Sequence, residues 1–192
     1  MDILKSFKGC DLDDLIPLLK VSSIVLQRAC RIQEAELKQQ IPNANRITYM
    51  SKALKVKPEL VSKYFATHMF MFGIPHDMLE ENLKTLLEYE IEPIHILRDL
   101  WVFKYVPQKL KDRFELVKAA GRTTLRPWMV RCKMDVLEHS IDIYQQNKKL
   151  LGEDTVIDYL SKRLGYDTFT MKTIASKHPA VLKCRGNILA TF

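Results

Sequence analysis

Glycine and cysteine are both scarce in this chain of 192 residues, and each scarcity excludes a class of site. The six glycines stand singly, so the chain has no glycine-rich loop for a nucleotide phosphate. Four cysteines lie far apart without a Cys-x-x-Cys pair: Cys10, Cys30, Cys132 and Cys184. The five histidines form no His-x-x-x-His pair. Neither a disulfide framework nor a zinc site is therefore expected, and a reducing compartment is indicated.

A long hydrophobic run is also lacking. The longest candidate, 65–74, is interrupted by Thr67 and His68 and includes Gly73. A membrane-spanning helix needs about 20 apolar residues, so no membrane association is expected. Apolar residues nevertheless make up 47% of the chain, which excludes disorder by composition and predicts a soluble folded protein.

Motifs of nucleophilic and acid–base catalysis are missing as well. The chain has no Gly-x-Ser-x-Gly sequence, and Ser140 follows His139 inside a predicted helix, where adjacent side chains do not face each other. The acid pair Glu80–Glu81 is typical of a helix surface. We therefore expect no enzyme, no cofactor and no metal.

Helical periodicity is what the chain does have. Leu79, Leu83, Leu86 and Leu87 form one apolar face, and similar stripes recur along the sequence. Turns of a few residues join the predicted helices, so the expected class is all-α. The predicted helices are Leu12–Val21, Val25–Gln40, Ala44–Val56, 58–72, 76–90, 107–120, 133–151, 154–164 and Thr168–Lys177, with Thr168 as an N-cap and Gly121, Gly152 and Gly165 as stops.

A degenerate internal repeat favours a solenoid over a bundle. The segment 99–104 matches 178–183 in an apolar pair followed by lysine, and a later leucine recurs at the same offset. The sequences around Pro58 and Pro127 are interpreted as further copies of the same turn. We therefore predict one superhelical solenoid over residues 1–192, right- or left-handed, with residues 1–50 forming its first repeats.

Positive charge is concentrated in one window, 104–133. It holds nine basic and two acidic residues, which accounts for the whole formal net charge of +7. A concentrated basic stripe indicates phosphate binding, whereas a solvated helix face would show interleaved signs. Trp101 and Trp128 could stack on an everted base, but each sits within an apolar run, which favours a place in the core between repeats. The candidate nucleic-acid-binding residues are Lys104, Lys109, Arg122, Arg126, Arg131, Lys133, Lys177, Lys183 and Arg185, with Trp101 and Trp128 as candidate stacking residues.

The repeat resembles that of the mitochondrial transcription termination factors, the mTERF family. The segment 174–182 is similar to the family's Ile-x-x-x-Pro-x-[VL]-[LF] pattern, and residues 83–121 resemble one whole repeat. Leu100 stands where the family usually has proline. The resemblance covers residues 51–192 most clearly. Family members are longer and carry a transit peptide, so we expect a C-terminal portion of such a protein.

The resemblance implies a function in the mitochondrial matrix. A basic concave face of the solenoid would wrap double-stranded mitochondrial DNA and regulate or terminate transcription. Two alternatives stay open. The same fold could bind mitochondrial ribosomal RNA during ribosome assembly, or act as a scaffold for protein partners. A single copy could wrap a duplex, so we expect a monomer.

Overall fold

Short helices form the whole of the described structure. The computed structural model describes residues 7, 10–41, 45–152 and 154–183, except for the side chain of Lys183, and contains no strand within these ranges. The α-helices are α1 (Ser23–Lys38), α2 (Arg46–Leu54), α3 (Pro58–Thr67), α4 (His76–Glu88), α5 (Pro93–Arg98), α6 (Pro107–Ala119), α7 (Trp128–Arg131), α8 (Met134–Leu151), α9 (Val156–Leu164) and α10 (Thr168–Lys177). The 3₁₀ helices are Asp13–Lys20, Met69–Gly73, Leu100–Lys104 and Pro179–Lys183.

One local motif occurs three times in these helices. Each copy is an α-helix, one residue with φ near −130° and ψ near +60°, and then a 3₁₀ helix of five residues. The middle residues are His68, Asp99 and His178, with φ of −132°, −133° and −128°. In each copy the carbonyl of the middle residue accepts a hydrogen bond from the amide three residues later, which opens the 3₁₀ helix. The copies at 99–104 and 178–183 are the pair that the sequence repeat predicts.

The third copy of the turn is 68–73, and the expectation that the sequences around Pro58 and Pro127 form further copies is wrong. Pro58 begins α3, where a proline fits because the first helical residue needs no amide donor. Pro127 directly precedes α7. Neither proline forms the repeated turn. The predicted helix 58–72 is interrupted at His68, since residues 69–73 form the 3₁₀ helix.

Helix ends follow the capping rules with one correction. Asp167, and not Thr168, caps α10: its side chain accepts from the amide of Thr170 at 2.9 Å. The hydroxyl of Thr170 also donates to this carboxylate. These hydrogen bonds hold the pKa of Asp167 below its usual value, since they stabilise the charged form. Gly121 (φ +83°), Gly152 (φ +59°) and Gly165 (φ +72°) end α6, α8 and α9 as predicted.

The helices divide into two compact units. The first comprises residues 1–114 and 125–131, and the second comprises 115–124 and 132–192. In the first unit, α3 packs against the 3₁₀ helix Asp13–Lys20, and α4 packs against the 3₁₀ helix Leu100–Lys104. In the second, α9 packs against α10 around Leu160 and Met171. None of the helices in the described ranges combines the length and the apolar character that a membrane crossing requires.

Candidate nucleic-acid interface

The predicted basic residues fall in both units. Lys104, Lys109, Arg126 and Arg131 belong to the first unit, together with both tryptophans. The second unit contains Arg122, Lys133, Lys177 and Lys183. Arg185 lies outside the described residues.

In the first unit, the 3₁₀ helix Leu100–Lys104 brings Trp101 and Lys104 together. Side chains three residues apart eclipse each other in a 3₁₀ helix, so these two extend in the same direction. The ammonium of Lys104 lies 4.2 Å from the centre of the Trp101 ring and 4.3 Å from that of Phe70. A cation over a ring face is attracted by the ring quadrupole. Lys104 is therefore an exposed cation with a fixed direction.

Trp101 stacks on an aromatic residue of the preceding repeat. The ring centres of Phe70 and Trp101 are 4.7 Å apart with an interplanar angle of 32°. Phe70 and Trp101 each stand second in their 3₁₀ helices, so equivalent positions of two repeats are in contact. Trp101 keeps 43% of its surface exposed, whereas Trp128, the first residue of α7, is half-buried. Trp101 is thus the more accessible of the two candidate stacking residues.

Arg131 is already paired within the first unit. Its Nε lies 2.7 Å from Oδ1 of Asp99, the middle residue of the second repeat copy. The side chain of Arg131 is 40% exposed and that of Asp99 only 15%. This pair joins α7 to the turn that carries Trp101 and Lys104, and α7 packs against the same 3₁₀ helix.

Other cations of the window 104–133 are also partly compensated. Lys111 pairs with Glu81 at 3.3 Å, and Lys118 approaches Glu115 at 3.9 Å. Lys109 lies 4.1 Å from the ring centre of Tyr105. Because Glu81 and Asp99 stand outside the window, the positive surface is weaker than the sequence count of the window suggests.

Within this window, Arg126 and Lys133 are not compensated in this way among the described residues. Arg126 is half-buried in the segment before α7, and Lys133 is exposed directly before α8. The side chain of neither has a hydrogen bond or ion pair to another described residue. The position of Lys133 adds to its suitability, since the first amides of the 18-residue helix α8 attract anions.

In the second unit, Arg122 lies beside α8. Its Nη1 donates to Oγ of Ser140 at 3.2 Å, and its guanidinium carbon is 5.7 Å from the ring centre of Tyr144. The Tyr144 hydroxyl donates to the carbonyl of Gly121 at 2.8 Å, which holds the backbone next to Arg122. Lys177 is exposed at the end of α10, and Lys183 ends the following 3₁₀ helix.

Sequence reasoning did not find two features of this region. Phe70 was not recognised as the counterpart of Trp101, because Met69–Gly73 lacks the lysine that marks the other copies. Aligning the copies on their apolar pair alone would have found it. The Asp99–Arg131 pair joins residues 32 apart, and no local pattern indicates such a contact.

Comparison with known proteins gives one informative match. The chain is 36% identical over 182 residues to a protein of Drosophila melanogaster named "Transcription termination factor, mitochondrial". The alignment covers 94% of this chain but 44% of the relative, so the chain spans less than half of that protein. No family model matches the chain, and no solved structure matches it at a significant level. The similarity confirms the resemblance seen in the repeats: this chain is related to the mitochondrial transcription termination factors.

Proposed function

We propose that this chain binds double-stranded DNA through cationic side chains of both units, and that the protein regulates or terminates mitochondrial transcription. The observation that carries the proposal is the similarity to a mitochondrial transcription termination factor along 94% of the chain. Nucleic-acid binding follows from that relationship, and duplex DNA in the mitochondrial matrix is the target that we favour. In this proposal the repeats form a monomeric solenoid with a basic concave face.

The arrangement of cationic side chains in the structure supports the proposal. Phosphate contacts are made by Lys and Arg side chains that do not already neutralise an acid. Arg126 and Lys133 meet that condition within the described part of the chain, and Lys104 is held in place by two rings. Arg122 is braced by Ser140 and has the bidentate geometry that suits a phosphate or a guanine.

A salt titration tests the proposal directly. The purified chain is titrated with labelled duplex DNA, and with a stem-loop RNA, over a series of salt concentrations. We expect tighter binding to DNA, with a logarithmic salt slope of about −0.9 for each phosphate neutralised. Tighter binding to RNA would assign the chain to ribosomal RNA. Absence of salt-dependent binding to either would leave a protein scaffold.

Matched variants identify the contact residues. Arg126→Ala and Lys133→Ala should each weaken DNA binding and reduce the salt slope by about one unit. Lys84→Ala removes the same charge from an exposed position on α4, where Lys84 approaches Glu88 at 3.9 Å, and should change neither quantity. Equal effects of all three variants would show that only the net charge matters.

A further inference from the structure

An apolar cleft of about 420 Å³ lies within the first unit, between α1 and the 3₁₀ helix Met69–Gly73. This volume lies in the range of ligand-binding pockets. Val25, Ala29 and Ile32 line it from α1 at the spacing of one helical face. Phe70 lines the opposite side. The walls are therefore mostly hydrophobic.

Positive charge borders this cleft. Arg28 of α1 and Lys104 line it, and no acidic residue is among the described residues that do. Arg28 is exposed, and its side chain makes no hydrogen bond or ion pair with any other residue in the described ranges. The ammonium of Lys104 is held 4.3 Å from the Phe70 ring centre. The cleft thus combines an apolar interior with two cations, which favours an occupant that is apolar and negatively charged.

Gly73 keeps the cleft open. It is the fifth residue of its 3₁₀ helix, and the other two copies have Lys104 and Lys183 at this position. Its φ is not positive, and a Cβ added here would meet no atom within 4 Å. Neither the backbone nor the packing therefore requires glycine. Because Gly73 lines the cleft, a glutamate here would place a side chain and a negative charge at the cleft.

We propose that this cleft binds an acidic amphipathic segment of a partner protein. A large apolar side chain of the partner inserts against Val25 and Phe70, and its flanking carboxylates pair with Arg28 and Lys104. Apolar surface continues next to the cleft, since Ile24 is 79% exposed and Val25 42%. An apolar patch of this length fits the apolar face of a peptide helix better than a single nucleobase. Lys104 belongs both to this cleft and to the proposed DNA contacts, so the peptide and duplex DNA would compete for that side chain.

Binding of designed peptides tests the proposal. The probe is a labelled helical peptide of about 16 residues with leucines on one face and glutamates beside them. A second peptide has lysine in place of each glutamate, and a third has serine in place of each leucine. We expect the full-length 192-residue chain to bind the first peptide at least about tenfold more tightly than either control peptide.

Variants at the cleft locate the binding. Gly73→Glu should weaken binding of the acidic peptide at least about tenfold, because it fills the cleft and repels the peptide's carboxylates, whereas Gly73→Ala should leave the affinity within about twofold. Both variants should keep the wild-type circular dichroism and melting curve, since a Cβ at this position is free of contacts. Arg28→Glu together with Lys104→Glu should transfer the preference to the lysine peptide.

Three results would overturn the proposal. One is equal affinity for the glutamate and lysine peptides. Another is unchanged binding of the acidic peptide by a folded Gly73→Glu variant. The third is single-stranded oligonucleotide binding that exceeds peptide binding and is lost in Gly73→Glu, which would assign the cleft to nucleic acid.

Discussion

The side-chain amide of Asn82 on α4 donates to the backbone carbonyl of Tyr105 at 2.9 Å, and lies 3.4 Å from the carbonyl of Phe103. Asn82 is fully buried, so these bonds form away from water. The two carbonyls flank Lys104. Arg46 has a similar part in the preceding repeat, since its Nη2 donates to the carbonyl of Ile74 at 2.7 Å. Ile74 and Tyr105 each follow a 3₁₀ helix, so a buried polar side chain supports both turns.

Replacing Asn82 should therefore destabilise the first unit. Asn82→Ala leaves the two carbonyls without this donor and should lower the free energy of unfolding by about 1–3 kcal/mol. Urea denaturation measures the change. Lys84→Ala, an exposed substitution on the same helix, should cost less than about 0.5 kcal/mol. Equal stabilities of the two variants would show that the Asn82 bonds contribute little.

The Asp99–Arg131 pair predicts opposite effects of two substitutions on DNA binding. Asp99→Asn removes one negative charge beside Arg131 and should strengthen DNA binding, with a steeper salt slope. Arg131→Ala should weaken binding and reduce the slope by about one unit if the arginine contacts a phosphate. Titrations over a salt series measure both. Weaker binding by Asp99→Asn at unchanged stability would mean that the carboxylate instead orients Arg131 for its contact.

Residues with left-handed backbone at helix ends predict that glycine substitutions there stabilise the protein and that replacing a glycine there destabilises it. Lys55 and Glu90 follow α2 and α4 with φ of +54° and +55°, where glycine would be at ease. Lys55→Gly and Glu90→Gly should each raise the free energy of unfolding by about 0.5–1 kcal/mol. Gly165→Ala should lower it by about 1 kcal/mol, although a Cβ there would meet no atom within 4 Å. Thermal denaturation of the three variants provides the comparison.

The cap of α10 predicts a pH effect. The pKa of Asp167 is lowered mainly by the hydrogen bond from the Thr170 hydroxyl and also by the Thr170 amide. A depressed folded-state pKa means that the stabilisation by this cap is complete above the unfolded pKa and is lost as the pH falls through the folded value. Thr170→Val should raise the pKa of Asp167 towards its ordinary value. Carboxyl NMR titration measures this change, and Thr173→Val serves as the control because its hydroxyl donates to the carbonyl of Phe169.

The helices with leucine periodicity were predictable almost to the residue. The expected segments 76–90 and 133–151 correspond to α4 and α8. The interruption at His68 was not predictable from hydrophobicity, because Met69–Gly73 continues the apolar run of α3. The predicted helix Leu12–Val21 forms instead the 3₁₀ helix Asp13–Lys20, which contains Pro17. A proline cannot donate the amide bond that an α-helix interior requires.

The candidate site was predictable in composition and less so in detail. Counting charges identified the basic window, but Glu81 and Asp99 neutralise part of it from other elements of the first unit. Such pairs depend on tertiary packing and leave no local signal. The neighbourhood of Trp101 and Lys104 follows from their spacing in either kind of helix, since side chains three residues apart are neighbours in an α-helix and eclipse each other in a 3₁₀ helix. Their contacts with Phe70 depend on packing between repeats.

The turn residue with φ near −130° and ψ near +60° occurs three times among the described residues. This recurrence bears on how the sequences of such chains diverge. The middle residue is histidine in two copies, His68 and His178, and aspartate in the other, Asp99. The left-handed residue that follows the preceding helix (α2, α4 or α9) differs in every copy: Lys55, Glu90 and Gly165. One backbone geometry thus recurs although the residues and their burial differ between the copies. Substitutions can then accumulate until the sequence signature of a repeat is lost while its turn persists.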